Sequence, residues 1–168
     1  YEAICKENRE SYGTKGAQKS GKLAAGLYDD RTHFIFELLQ NAEDALGRRG
    51  EWHGSRKVAF TLSPTRLMLS HYGKPFDEAD VRSVCDIAES TKNESSIGRF
   101  GVGFYATFMV ADRVEVLSQS AQREKGGVRW TSAGAGSYEV EDADRAHRGT
   151  RITLHLREDA AEYLDSWK

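Results

Sequence analysis

Two cysteines in 168 residues, Cys5 and Cys85, are too few and too far apart to form a disulfide framework, and no metal-ligand residues accompany them. That scarcity points to a reducing compartment, and a cytoplasmic setting is expected. No apolar run reaches the roughly 20 residues a bilayer span needs, and the N-terminus lacks signal-peptide architecture. Charge of one sign is missing too. Lys and Arg number 24 against 26 Asp and Glu, for a net charge of −2, and no local basic run compensates. Neither nucleic acid nor an anionic membrane is an expected partner. His33, His53, His147 and His155 have no metal-like spacing, and Trp52, Trp130 and Trp167 read as core or rim residues. No internal repeat is present. The length fits a single domain over residues 1–168 with a real core. Residues 1–29 read as an N-terminal helix and a Gly/Lys-rich loop, and 30–164 as the core. The chain opens on Tyr1 and closes on EDAAEYLDSWK, so we expect a piece excised from a longer multidomain protein.

The most informative stretch that is present is Phe34 to Ala45, FIFELLQNAEDA. Ile35, Leu38, Leu39, Ala42 and Ala45 recur at the spacing of one apolar helical face, within a helix expected from about Asp30 to Leu46 with Asp29 or Asp30 as N-cap. Glu37, Asn41 and Asp44 recur at i, i+4 and i+7 on a second face. Two carboxylates and a carboxamide stacked over two turns suit a hydrated metal ion, a phosphate chain and an attacking water. The same pattern also describes the solvated face of an ordinary amphipathic helix.

Further along, Lys57–Leu62 and Arg66–Ser70 read as a hairpin around Ser63-Pro64-Thr65, followed by the turn-rich loop HYGKPF over 71–76. Asp77–Ala88 reads as a helix and STKNESS as a polar connector. GRFGVGFY (98–105) opens an apolar helix that continues through Val110. Arg113–Gln119, Val128–Ser132, Ser137–Val140 and Thr150–Leu156 read as successive strands. This order predicts an α+β fold: a two-layer α/β sandwich whose mixed, mostly antiparallel sheet is covered by helices on one face. Glycines at Gly98, Gly101 and Gly103 ahead of a helix would let backbone N–H groups approach a phosphate, or simply serve a tight turn. The stretch GAQKSGK over 16–22 looks like a P-loop, but no strand precedes it, and a P-loop reading fails.

ELLQNAEDA, then a strand and a glycine loop, then GRFGVGFY, resembles the ordered motif set of the GHKL (Bergerat-fold) ATPases. That group includes DNA gyrase, MutL, histidine kinases and the ninety-kilodalton heat-shock chaperones. IGRFGVGFYATFMVADRVEV, WTSAGAGSYEV and GTRITLHLREDAAEYL look most like the chaperones, while LLQNAEDA and HYGKPF look like sacsin-type relatives. The likeness spans about Phe34 to Leu164. It implies an N-terminal, Mg²⁺-dependent ATP-binding domain that hydrolyses ATP slowly, with nucleotide state driving lid closure and dimerisation of a parent that acts on client proteins. Residue by residue, it implies that Glu37 is the general base for the attacking water and that Asn41 holds Mg²⁺ through its carbonyl oxygen. Asp44 and Ala45 would lie at the ATP/ADP pocket, Gly73 and Phe76 in the loop against the base. Gly98, Arg99, Phe100, Gly101, Val102, Gly103 and Phe104 would wrap the phosphates, under a short lid over 90–97 that includes Lys92. Thr150 matches a threonine that helps hold adenine through water. Glu37 argues against the histidine-kinase branch.

The second motif departs from the usual DxGxG of these ATPases. His71 replaces the aspartate that accepts the adenine amino group, and Pro75 replaces the second glycine. A neutral imidazole has one acceptor nitrogen and an imidazolium none. If His71 reads adenine, affinity is therefore expected to fall below pH about 6.5. The alternative reading is that His71 only packs or caps its loop. Two rival functions stay open: a regulatory module that holds nucleotide without meaningful hydrolysis, and a scaffold that binds none.

Overall fold

A computed structural model of the chain describes residues 32–50, 55–85, 102–119, 126–134, 137–143 and 149–160. The expected N-terminal helix, the Gly/Lys-rich loop and the connector over 90–96 lie outside the described residues. So do the candidate caps Asp29 and Asp30.

Helix α1 runs His33–Gly47. Its buried stripe is Phe34, Leu38, Asn41, Ala42 and Ala45, the i, i+4, i+7/8 spacing of one helical face. Two expectations shift here: Asn41, read on a second face with Glu37 and Asp44, lies in the buried stripe itself. Leu39, placed on the apolar face from spacing, is 38% exposed, and Phe34 is buried in its stead. One residue is a 100° step on a helix, so Leu38 and Leu39 cannot both face the core squarely.

Pro64-Thr65 closes the first hairpin. Strand β1 (Ala59–Ser63) pairs with β2 (Arg66–His71), with Ser63 opposite Arg66. His71 thus ends the strand rather than opening the loop. Helix α2 (Glu78–Cys85) follows. Residues Val102–Met109 form a 3₁₀ helix rather than the α-helix expected. Its buried residues include Phe104, Ala106 and Thr107, with Val110 buried just beyond its end; Phe104 and Thr107 stand three positions apart, the period at which 3₁₀ side chains eclipse. The Val110 N–H donates to the Thr107 carbonyl three residues back, at 3.2 Å. A glycine at 103 and aromatics at 104 and 105 are weak α-helix formers, so packing decides the winding.

Strands β3 (Ala111–Gln119), β4 (Gly127–Gly134), β5 (Ser137–Ala143) and β6 (Thr150–Leu156) complete a six-stranded sheet ordered β1-β2-β6-β3-β4-β5. Every pairing is antiparallel. The last strand therefore enters the middle, between the first hairpin and the meander. Alternation then sorts residues into rows across the strands. Leu67, Leu154 and Val114 form one inward row, and Leu69, Ile152, Val116 and Trp130 the next. All seven belong to the core, together with Phe34, Leu38 and Phe104. Phe104 meets Trp130 edge-on, ring centres 5.8 Å apart. The opposite sheet face is polar. There His155 pairs in register with Arg66 and Arg113. Burial and those two guanidiniums hold its pKa below the ordinary value of 6.5. Among the described residues, no helix is long and apolar enough to cross a membrane.

Helix α2 begins on a reciprocal cap. The Asp80 N–H donates to Asp77 Oδ1 at 2.9 Å, and the Asp77 N–H donates back to Asp80 Oδ2 at 3.1 Å. Arg48, just past α1, donates to the buried Asp80 at 3.1 Å, and Lys74 pairs with Asp77. Burial raises the Asp77 pKa, but the Lys74 ammonium and the hydrogen bonds from Lys74 and Asp80 outweigh it, leaving Asp77 at about 2 instead of 3.8. A depressed carboxylate stabilises the fold above its unfolded pKa, and that stability goes as pH falls through the folded value. Asp77→Asn is therefore expected to lower stability at pH 7 by about 1 kcal/mol, after allowing for solvent screening. In denaturant titrations it should also flatten the loss of stability between pH 4 and 2.

Candidate functional site

The loop after β2 is seated on the second half of α1. The Lys74 N–H donates to the Ala45 carbonyl at 2.7 Å. A Cβ on Gly73 would lie 2.6 Å from both the Ala45 carbonyl carbon and its Cβ. No side chain fits there. The close approach is between two backbones, which is why the position needs glycine.

On its other side the loop meets the end of the sheet. His71, Thr150 and Ser118 are opposite one another across β2, β6 and β3, all buried on the face toward the helices. This polar row stands where the apolar rows give way, and its members are paired. Ser118 Oγ lies 2.9 Å from Thr150 Oγ1 and accepts the Phe76 N–H at 3.1 Å. His71 Nδ1 accepts the Gly73 N–H at 3.1 Å. The single acceptor of a neutral imidazole is thereby committed to the loop. The expectation that this acceptor could receive an adenine amino group does not fit the geometry; His71 caps its own turn. Gly149, directly before Thr150, has φ +107°, and a Cβ there would lie 2.4 Å from the His71 carbonyl oxygen.

Back along α1 stand the other candidates, Asp44 beside Ala45, Asn41 about one turn earlier and Glu37 about two. Asn41 is buried within the core-facing stripe, and Glu37 and Asp44 are half-buried on either side of it along the helix. Glu37 and Ala45 are eight residues apart, about 12 Å along the axis. Glu37 does not stand alone: His33, one turn earlier, lies with Nε2 3.1 Å from Glu37 Oε1. A carboxylate only accepts, so the imidazole Nε2–H donates and orients it.

The structure thus brings Ala45, Gly73, His71 and Thr150 together with the loop and places Glu37, Asn41 and Asp44 on the same helix. Phe76 and Phe104 lie in the core, so their rings serve packing. Val102 and Gly103 open the 3₁₀ helix, while Lys92, Gly98, Arg99, Phe100 and Gly101 lie outside the described residues. Ser118, Gly149 and His33 were missed from sequence. The inward alternation of Val114, Val116 and Ser118, and the i, i+4 spacing of His33 and Glu37, were the available signals. Among the described residues no group of three or more His, Cys, Asp and Glu side chains gathers as a metal cage. The oxygen donors present, Asn41 and the carboxylates of α1, suit a hard cation that keeps most of its waters.

The chain is 36% identical to the chaperone protein HtpG of Geobacter metallireducens, over 95% of this chain and 29% of that relative. It is 38% identical to HtpG of Geobacter sulfurreducens with the same coverage. With HtpG of Myxococcus xanthus the identity is 37%, over 84% of this chain and 26% of the relative. It therefore spans less than a third of the length of these relatives. The α+β sandwich, the loop seated on α1 and this likeness define a GHKL-type domain of the chaperone ATP-binding class. The Sacsin domain family matches residues 25–123, more than half of the chain, and the chain belongs to that family.

Gly73→Ala is expected to lower stability by about 1–3 kcal/mol, because the backbone of Ala45 cannot move aside cheaply. Gly149→Ala should do the same through its left-handed φ. Gly47→Ala meets nothing within 4 Å and should raise stability by up to about 1 kcal/mol through helix propensity. Thermal melts of the three variants check the set.

Proposed function

We propose that this chain is the nucleotide-binding module of a larger chaperone-like protein, and that it binds ATP and ADP with Mg²⁺ and hydrolyses ATP slowly. The observation that carries the reading is the layout of α1. At one end a glycine loop lies against its backbone beside the buried row His71, Thr150 and Ser118. About 6 Å along the same helix stands the buried carboxamide of Asn41, and about 12 Å along it the carboxylate of Glu37. An elongated ligand with a flat, apolar end and a charged end fits that arrangement.

In this reading the base lies by Gly73 and Thr150, and Asp44 stands near the ribose. Asn41 would hold Mg²⁺ through its amide oxygen; the ion, when bound, would neutralise charge on the phosphates. Glu37 would take the proton of the attacking water as general base, its carboxylate aimed by the N–H of His33. Residues 98–103 would meet the phosphates and 90–97 would close over them. In the parent protein, further domains following this one, dimerisation on nucleotide binding, client proteins and a cytoplasmic setting complete the proposal. They are drawn from the likeness to the chaperones. The rival reading, a regulatory module that holds nucleotide without turnover, is separated by Glu37.

Glu37→Gln is expected to lower single-turnover hydrolysis about 10²-fold or more, the scale of a lost general base. Its affinity for ADP by calorimetry should stay within about twofold, a change of under 0.5 kcal/mol. A pure binder would show no change in either quantity. Asn41→Ala is expected to abolish the effect of Mg²⁺ on ADP affinity.

A further inference from the structure

The sheet face turned away from α1 gathers charge that strand register brings together and sequence order does not, and it is independent of the nucleotide reading. Alternation places Arg66, Met68 and Ser70 of β2 on that face, Arg151, Thr153 and His155 of β6 beside them, and Arg113, Glu115 and Leu117 of β3 next. Arg66, His155 and Arg113 form one cross-strand row about 10 Å wide, and Arg151 lies four residues along β6 from His155, about 13 Å away. Strands β1, β2 and β6 contain no Asp or Glu. The carboxylates of this face are Glu115 on β3 and Glu139 and Glu141 on β5. Two of them are already engaged: Arg129 lies 2.9 Å from Glu141 and 3.9 Å from Glu115, and Arg113 lies 3.6 Å from Glu115. Among the described residues no carboxylate pairs with Arg66 or Arg151, and Arg151 Nε has no hydrogen-bond partner there. Around His155, burial and the guanidiniums of Arg113 and Arg66 hold the pKa down against the opposing charge of Glu115, so positive charge outweighs negative in this row.

We propose that the β2–β6 part of this open face docks a short acidic segment of a partner protein, whose carboxylates are taken by Arg66, Arg113 and Arg151 around His155. Guanidinium forks match carboxylates in pairs of hydrogen bonds, and charge complementarity of this kind sets partner choice. The extent of the basic region limits the occupant. A long polyanion or a membrane plane laid across the face would also meet Glu115, Glu139 and Glu141, whereas a short segment stays over β2, β6 and the near side of β3. In an extended segment every second side chain points the same way, so alternate acidic residues would line up along β6 from the His155 row to Arg151.

The test is an NMR titration of the chain with a peptide of alternating Glu and Ser, at about 50 mM salt, where screening is weak. Saturable amide shifts are expected at Arg66, Arg113, Arg151, Thr153 and His155, with α1 and Gly73 unmoved. The His155 ring should titrate at higher pH in the saturated complex, because a bound carboxylate offsets the two guanidiniums. The double variant Arg66→Gln/Arg151→Gln should weaken binding about tenfold or more. Arg82→Gln, the same change of charge on α2, should leave affinity within about twofold. The single variant Arg66→Gln, at an exposed position, carries the test alone if the double variant does not fold. Three results would overturn the proposal: no saturation at millimolar peptide, shifts or affinity indifferent to the loss of Arg66, or tighter binding to a short thymidylate strand or to phosphatidylserine vesicles than to the peptide. The last would give the face to a different class of partner.

Discussion

The contact on which the site depends is between two backbones: Gly73 lying against Ala45, with the Lys74 N–H held by the Ala45 carbonyl at 2.7 Å. A helix carbonyl in mid-helix is ordinarily occupied by the N–H four residues on; near the C-terminal end such carbonyls are free to accept from elsewhere. Ala45 lies in the last turn of α1, and the loop supplies the donor. The seat is reinforced just beyond. Arg48 reaches from the end of α1 to the buried Asp80, which also caps α2 jointly with Asp77. Loop, α1 and α2 are thereby tied together over a few residues, and the charge network makes their relative placement sensitive to acid below pH 4.

The second constraint is the polar row at the end of the sheet. Two apolar rows, one around Leu67 and Leu154 and one around Leu69 and Ile152, build the core, and the next row is His71, Thr150 and Ser118. Burying three polar side chains in place of three aliphatic ones is unfavourable unless each is hydrogen-bonded. Each has a partner, and two of the bonds, to the N–H groups of Gly73 and Phe76, hold the loop rather than the sheet. The row converts a strand end into a shaped loop. It also engages the Nδ1 acceptor of His71 within the loop.

Much of this was legible in the sequence. The period-two alternation of Thr150, Ile152 and Leu154 located β6 to the residue, because a strand in mid-sheet buries one face completely. The spacing of Leu38, Ala42 and Ala45 located α1. Leu39 misled because apolar identity alone does not say which of two neighbouring residues turns inward. The 3₁₀ winding of Val102–Met109 was hidden for the same reason: local composition is weakly helical, and the choice between windings is made by which of Phe104, Thr107 and Val110 must meet the core. In the site, Glu37 and Asn41 carried their signal in i, i+4 spacing, whereas the roles of Gly149 and Ser118 depend on strand register. That His71 caps its own turn depends on a hydrogen bond from the Gly73 N–H, which no composition or spacing encodes.

The central claim is that an elongated nucleotide lies along α1 from the Gly73 loop to Glu37. Backbone amide shifts of the 168-residue chain during titration with ADP and Mg²⁺ test it most directly. The account predicts saturable shifts at Asn41, Ala45, Gly73 and Thr150, with β1 and β5 at the sheet edges unmoved. Shifts confined to the open face of the sheet, around Arg66, Arg113 and His155, or none at millimolar nucleotide, would contradict it.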